Sequence, residues 1–183
     1  MSKGKLISYF GPMYAGKSTA LINHIINNNI NQYSAYKPKI DNRYSANKIQ
    51  THDGKSLECT SIDNISEINL KKEHLILIDE IQFFNDEIVK GDVIKFISNT
   101  LSAGHTIVVG GLDKDWQGNF FPISQKLIKM SDEFIYLNAR CFCCGERAEF
   151  SYKKVMDNTV VSVGGSELYE ARCIKCWNSR KVA

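Results

Sequence analysis

No apolar run in this 183-residue chain approaches the roughly 20 residues that a membrane-crossing helix requires. The opening Met-Ser-Lys-Gly-Lys is followed by only five residues before Gly11. That is too few for the apolar stretch of a signal peptide. Both absences lead us to expect a cytoplasmic protein with no membrane partner. A charge excess of one sign is missing as well. The 23 basic and 20 acidic side chains leave a net charge of +3, too balanced to mark a nucleic-acid-binding surface by charge alone. No internal repeat is present. What remains is the composition of a globular protein, 43% hydrophobic and 23% charged, long enough for one sizeable core or a core with a small appendage.

Against these absences stands one dense motif. Gly11, Pro12, Met13, Tyr14, Ala15, Gly16, Lys17 and Ser18 follow a short apolar run, Leu6 to Phe10, and lead into helical spacing at Ile22, Ile25 and Ile26. A phosphate-binding P-loop needs this strand–loop–helix context, with four residues between the first Gly and Gly-Lys-Ser. Small residues let the loop turn its backbone N–H groups around a polyphosphate, Lys17 adds a point charge, and the Ser18 hydroxyl suits Mg²⁺. The positive end of the following helix dipole adds to the attraction. The plain alternative is a glycine-rich turn that happens to precede Lys-Ser.

Along the chain we expect a strand at Lys5–Phe10, a helix from Ser18 to about Asn29, and a short strand at Ser34–Lys37 stopped by Pro38. Asp41-Asn42-Arg43-Tyr44 and Thr51-His52-Asp53-Gly54 read as polar turns, equally able to present a phosphate-facing Arg. Leu75 to Ile78 is a continuous apolar run, expected of a strand buried on both faces, and ends in Asp79-Glu80. In a P-loop protein that is the place for a carboxylate that organises Mg²⁺ and its waters. Asp79 would serve the metal while Glu80, on the opposite side of the chain, faces the nucleophile. An ordinary acidic strand end is the alternative.

Asn85 reads as the N-cap of a helix whose face is Val89, Val93, Phe96, Ile97 and Leu101, closed by Gly104. A strand at Thr106–Val109 runs into Gly110-Gly111-Leu112-Asp113. Trp116, Phe120 and Phe121 then fall in a polar loop, as a small apolar plug or as a cover for a flat ligand. Pro122 opens another helix, and Glu133–Asn138 is the last strand of the main domain.

From Ala139 onward the pattern changes to short strands (Ala148–Tyr152, Thr159–Val163 and Tyr169–Arg172) between two cysteine pairs. Six cysteines in an intracellular chain do not suit a disulfide framework. Four of them form Cys141-x-x-Cys144 and Cys173-x-x-Cys176, with 28 residues between the pairs. Paired thiolates at this spacing can ligate one tetrahedral Zn²⁺, which strands with so little core would need as a structural element. Cys143 fits the spacing less well, and Cys59 reads as a small buried residue. The expected division is residues 1–138 and 139–183.

Taken together, Gly-Pro-Met-Tyr-Ala-Gly-Lys-Ser-Thr, Asp-Asn-Arg-Tyr with Thr-His-Asp, Ile-Asp-Glu-Ile-Gln-Phe-Phe, Gly-Leu-Asp with Trp-Gln and Phe-Phe, and the cysteine pairs flanking Val-Gly-Gly and Tyr resemble the cytosolic-type thymidine kinases. The resemblance spans nearly the whole chain in the same order. It implies an α/β fold with a P-loop NTPase-like (RecA-like) parallel sheet and a small zinc-ribbon-like lid domain. The implied activity, in pyrimidine salvage for DNA synthesis, moves the γ-phosphoryl group of ATP to the 5′-hydroxyl of thymidine.

By the same resemblance, residues Gly11 to Ser18, Asp41, Asn42, Arg43, Asp79 and Gln82 would bind ATP with Mg²⁺, and Glu80 would be the catalytic base. Phe83, Leu112, Trp116 and Phe121 would surround the base, with Val160, Val161, Ser162, Val163 and Gly164 closing over it beside Tyr169. Cys141, Cys144, Cys173 and Cys176 would hold structural zinc, and a homo-oligomer, a tetramer in the family, is implied. The chain departs from common family usage at Tyr14, Ile81, Trp116 and Ser151, where Phe, a small residue, Phe and Thr are frequent. Other readings are a kinase for another nucleoside, a nucleic-acid-stimulated ATPase gripping DNA with its zinc segment, and an ATP-binding regulator. A balanced charge in the cysteine segment and the presence of Glu80 disfavour the last two.

Overall fold

A computed structural model describes residues 3–41, 45–51, 54–70, 75–155 and 164–179. The chain runs through β1 (Leu6–Phe10), α1 (Lys17–Asn27), β2 (Tyr33–Pro38), β3 (Lys48–Gln50), β4 (Ser56–Glu58) and β5 (Thr60–Ile62). It continues with β6 (Leu75–Ile78), α2 (Val93–Ser102), β7 (Thr106–Gly111), α3 (Pro122–Met130) and β8 (Glu133–Tyr136). The last part holds β9 (Ala139–Arg140), β10 (Arg147–Ala148), β11 (Phe150–Lys153), β12 (Tyr169–Arg172) and the short helix α4 (Ile174–Asn178).

Six strands form one sheet in the order β5-β2-β6-β7-β1-β8, with every pairing parallel. A parallel sheet needs crossover connections that cover its faces, which is why its central strands are apolar on both sides. Along β6, Leu75 and Leu77 pack with Leu21, Ile22 and Ile25 of α1, while Ile76 and Ile78 pack on the other face with Val93, Ile97 and Leu101 of α2 and Leu127 of α3. The same alternation separates Val108 from Ile107 and Val109 in β7. The fold is thus α/β, a six-stranded parallel sheet between helices. All the parallel strands end toward one edge, where the loops after β1, β6 and β7 meet.

Three elements differ from the sequence reading. The helix expected from Asn85 begins instead at Asp92, whose carboxylate accepts the Lys95 N–H at 2.9 Å. Residues 85–91 are engaged elsewhere: Asn85 Oδ1 accepts the Ile88 N–H, Asp86 accepts the Gly91 N–H, and Lys90 pairs with Asn64 in an isolated bridge. Val89 still reaches the core, so its apolar spacing mimicked a helix turn. Around and beyond the turn read at 51–54 lie strands that the sequence reading did not include: the antiparallel hairpin β3–β4, which places Ile49 and Leu57 on the α1-side core, and a sixth sheet strand, β5. Three-residue strands carry too little alternation to be recognised by period. Cys59 is half-buried rather than buried, and burial pushes its thiol up to about 11.

Beyond β8 the chain forms two antiparallel ribbons, β9–β10 and β11–β12. Among the described residues their shared core cluster is small, Ala139, Cys141, Ala148, Ala171 and Cys173, and the P-loop residues Tyr14 and Ala15 pack against it. The strand expected at Thr159–Val163 lies outside the described residues. Among the described residues, no helix is long and apolar enough to cross a membrane.

Because Asp92 is the cap that starts α2, Asp92→Ala should destabilise the fold by about 1 kcal/mol. Urea denaturation monitored by circular dichroism would measure this, and an unchanged midpoint would contradict the observed helix start.

Candidate active site

The loop between β1 and α1 is bent by close approach as well as by sequence. A side chain at Gly11 would put a Cβ 2.1 Å from the Leu137 carbonyl oxygen, so the loop can pass β8 only as glycine. Tyr14 and Gly16 both adopt left-handed backbone, and Gly16 leads directly into α1. Lys17 is 8% exposed, and its Nζ donates to the Pro12 carbonyl oxygen at 2.6 Å, folding the ammonium across the loop. The Met13 N–H donates to Ser151 Oγ at 3.0 Å, and the Tyr14 hydroxyl donates to the Tyr169 carbonyl oxygen at 3.2 Å. Both ribbon strands of the cysteine segment therefore grip the P-loop.

At the end of β6, Ser18 Oγ donates to Asp79 Oδ2 at 2.8 Å, and Asp79 Oδ1 accepts the Glu80 N–H at 2.9 Å. Glu80 adopts left-handed backbone, φ +53°, which for a non-glycine costs on the order of 1–3 kcal/mol. The strand ends at Ile78, the chain turns at Glu80, and both carboxylates line one cavity. Gln82, 1% exposed, donates to Glu80 Oε2 and accepts the Leu112 N–H at 2.9 Å, so it links Glu80 to the end of β7. Asp41 is buried on the same cavity, 3.6 Å from the buried Lys37 ammonium, which also donates to the Ser45 carbonyl oxygen.

That cavity measures about 570 Å³. Lys17, Ser18, Asp79 and Glu80 give it a polar part. Phe83, Leu112, Trp116, Phe121 and Tyr169 give it an apolar part, with Gly164 on its rim. Asn42, Arg43 and Val160 to Val163 lie outside the described residues. Sequence reasoning missed Lys114 and the hairpin residues Lys48, Ile49 and Gln50, which also line the cavity. The Asp-Gly step at positions 53 and 54 was the available hairpin signal.

Burial raises the Asp79 carboxyl, the Glu80 charge raises it further, and the Ser18 hydrogen bond offsets only part, leaving it at about 7. A carboxylate in this position gains from a cation that neutralises it, which a divalent ion beside Ser18 would do.

The sulfur atoms of Cys141, Cys144, Cys173 and Cys176 all lie within 4.8 Å of one another. Cys144 is 3.7 Å from Cys173 and 3.6 Å from Cys176. Thiolates about 2.3 Å from a tetrahedral zinc stand about 3.8 Å apart, close to the two Cys144 separations, so the four could hold that ion. Burial raises the Cys141 thiol, but backbone N–H groups of Cys173, Cys144 and Cys143 outweigh it and bring it down to about 6, the behaviour of a ready thiolate. Cys143 is exposed and stands apart from the four.

A P-loop facing two buried carboxylates at the C-terminal edge of a parallel sheet defines a protein of the P-loop nucleotide-binding class. The comparisons narrow the class. A family model described as thymidine kinase matches residues 4–177. A thymidine kinase of Pseudothermotoga lettingae is 32% identical over 98% of this chain and 97% of its own length. One of Thermococcus kodakarensis is 33% identical over 89% of this chain and 88% of its own. The chain belongs to the thymidine kinase family.

Two predictions follow from the site's electrostatics. An acid whose folded pKa of about 7 lies above its ordinary 3.8 holds its proton better when folded. Its contribution is therefore full at low pH and is lost as pH rises through about 7. Ligand-free protein should lose stability as pH rises across that window, and Asp79→Asn should flatten the loss in urea melts at fixed pH. Equal slopes in both proteins would contradict the raised carboxyl. Separately, Cys173→Ser should lose bound zinc and Cys143→Ser should keep it, as read by metal analysis of the purified proteins.

Proposed function

We propose that this family member transfers the γ-phosphoryl group of ATP to the 5′-hydroxyl of thymidine, giving thymidine monophosphate and ADP. The observation that carries the reading is the two-part cavity, lined by charged groups of the P-loop and the β6 end and by the apolar side chains Phe83, Leu112, Trp116 and Phe121, with Glu80 on its wall.

In this reading the N–H groups of residues 11 to 18 and the Lys17 ammonium hold the triphosphate. Ser18 and Asp79 would hold Mg²⁺, which would supply neutralising charge to the phosphates. Asp41, Asn42 and Arg43 belong to the nucleotide region, with Gln82 fixing Glu80. Phosphoryl transfer asks a protein for positioning and charge neutralisation more than for covalent chemistry. Glu80 accepts the proton of the 5′-hydroxyl as that oxygen bonds to the γ-phosphorus and the bond to the ADP oxygen breaks. Phe83, Leu112, Trp116 and Phe121 enclose the base. Val160 to Gly164, with Tyr169, close over it from a lid domain, residues 139–183, that zinc on the four cysteines holds together. A closed lid excludes the water that would otherwise hydrolyse ATP. The protein works in the cytoplasm as a homotetramer, which light scattering on the purified chain would measure.

The deciding experiment is transfer of labelled γ-phosphate from ATP across a panel of nucleosides, with single-stranded DNA added separately. Product from thymidine, unaffected by DNA, supports the reading. ATP hydrolysis stimulated by DNA with no nucleoside product overturns it. Glu80→Gln should retain ATP binding while kcat falls roughly 10²–10⁴-fold, the usual range for a general base. Turnover like the wild type in that variant would remove Glu80 from the mechanism.

A further inference from the structure

The chain has only two tryptophans, Trp116 and Trp177, and they meet at the seam between the cysteine segment and the cavity. Trp177 follows Cys176 in α4 and does not line the cavity. Its indole N–H donates to the Trp116 carbonyl oxygen at 3.2 Å. Its ring stacks on Phe150 of β11, with centroids 4.7 Å apart and planes 24° from parallel. Gly118 lies against the same indole. A Cβ there would stand 3.2 Å from the Trp177 ring, on a backbone with φ +90° that side chains rarely adopt.

The same loop is held from its other side. Lys114, ion-paired with Asp113 at 3.3 Å, places its ammonium 5.1 Å from the rings of both Phe120 and Phe150 and 5.9 Å from Tyr136. The buried ammonium of Lys153 lies 5.9 Å from the Trp116 ring. The loop carrying Trp116 is thereby fastened to α4 by a directed donor and to β11 by cation–π contacts, while the Phe150–Trp177 stack joins β11 to α4.

We propose that Trp177 is a positioning residue for nucleoside binding: it fixes the Trp116 loop, and with it the apolar wall of the cavity, from the metal-bearing segment. The proposal rests on reading Trp116 as part of the nucleoside pocket. A loop that loses this donor loses a directed tie to α4 and populates positions in which the wall is incomplete. Apparent nucleoside affinity then falls in proportion to the competent fraction, while the phosphate end of the cavity is untouched.

Trp177→Phe keeps a ring to stack on Phe150 but removes the donor. It also leaves Trp116 as the sole tryptophan, so fluorescence titration of the full chain with thymidine reads binding at that ring directly. We expect wild-type bound metal and KM for ATP, with the Kd and KM for thymidine raised about tenfold. Gly118→Ala, which presses on the indole from the loop side, should give the same split and decides the matter if Trp177→Phe loses its metal. Trp116→Ala should itself weaken thymidine binding, and adding Trp177→Phe to it should weaken binding no further. Unchanged thymidine affinity in Trp177→Phe and Gly118→Ala, with weakening in Trp116→Ala, overturns the positioning role and leaves the pocket reading intact. Unchanged affinity in Trp116→Ala overturns both.

Discussion

The hydrogen bond from Ser18 to Asp79 joins the start of α1 to the end of β6, two elements 61 residues apart in sequence. Most of the site depends on that juxtaposition. A carboxylate at this depth is unfavourable unless hydroxyls, N–H groups or a cation answer it, and here the partners come from α1 and from the next peptide. The parallel sheet creates the meeting, because its strands all point their C-terminal ends to one edge. Glu80 sits one residue further on in left-handed backbone, a strained position that Gln82 and the Leu112 N–H hold in place.

The cysteine segment is tied to this edge through the P-loop itself. Ser151 receives the Met13 N–H, Tyr14 reaches the Tyr169 carbonyl, and Tyr14 and Ala15 share the segment's small core. The segment's own core is small, three alanines and two cysteines beside Tyr152 and Tyr169, and its four closely placed sulfur atoms could hold a metal that would add to it. The segment therefore touches the walls of the cavity at two places, at Tyr14 of the P-loop and, through Trp177, at the Trp116 loop.

Much of the fold was legible. The apolar run Leu75–Ile78 is the pattern expected of a strand covered on both faces, and it is one. Pro122 opened its helix as its fixed φ and missing donor predict. The helix from Asn85 was misread because Val89 reaches the core from a non-helical turn, and spacing alone does not separate the two. The strands β3, β4 and β5 are three residues each, and their partners rather than their own pattern make them strands.

The sequence by itself determined the chemistry in reach: a P-loop, an acidic pair closing a buried strand, and two cysteine pairs. Each is a local pattern whose spacing is dictated by backbone geometry over a few residues, so no distant contact is needed to see it. Only the tertiary structure decided how these pieces face one another. It turned Glu80 to the same cavity as Asp79, packed Tyr14 against the cysteine core, and brought Trp177 to the Trp116 carbonyl across 61 residues of chain. Such contacts depend on which strand lies beside which and on the path of irregular backbone. Those follow from the sum of many weak packing terms, and no short stretch of sequence carries that sum.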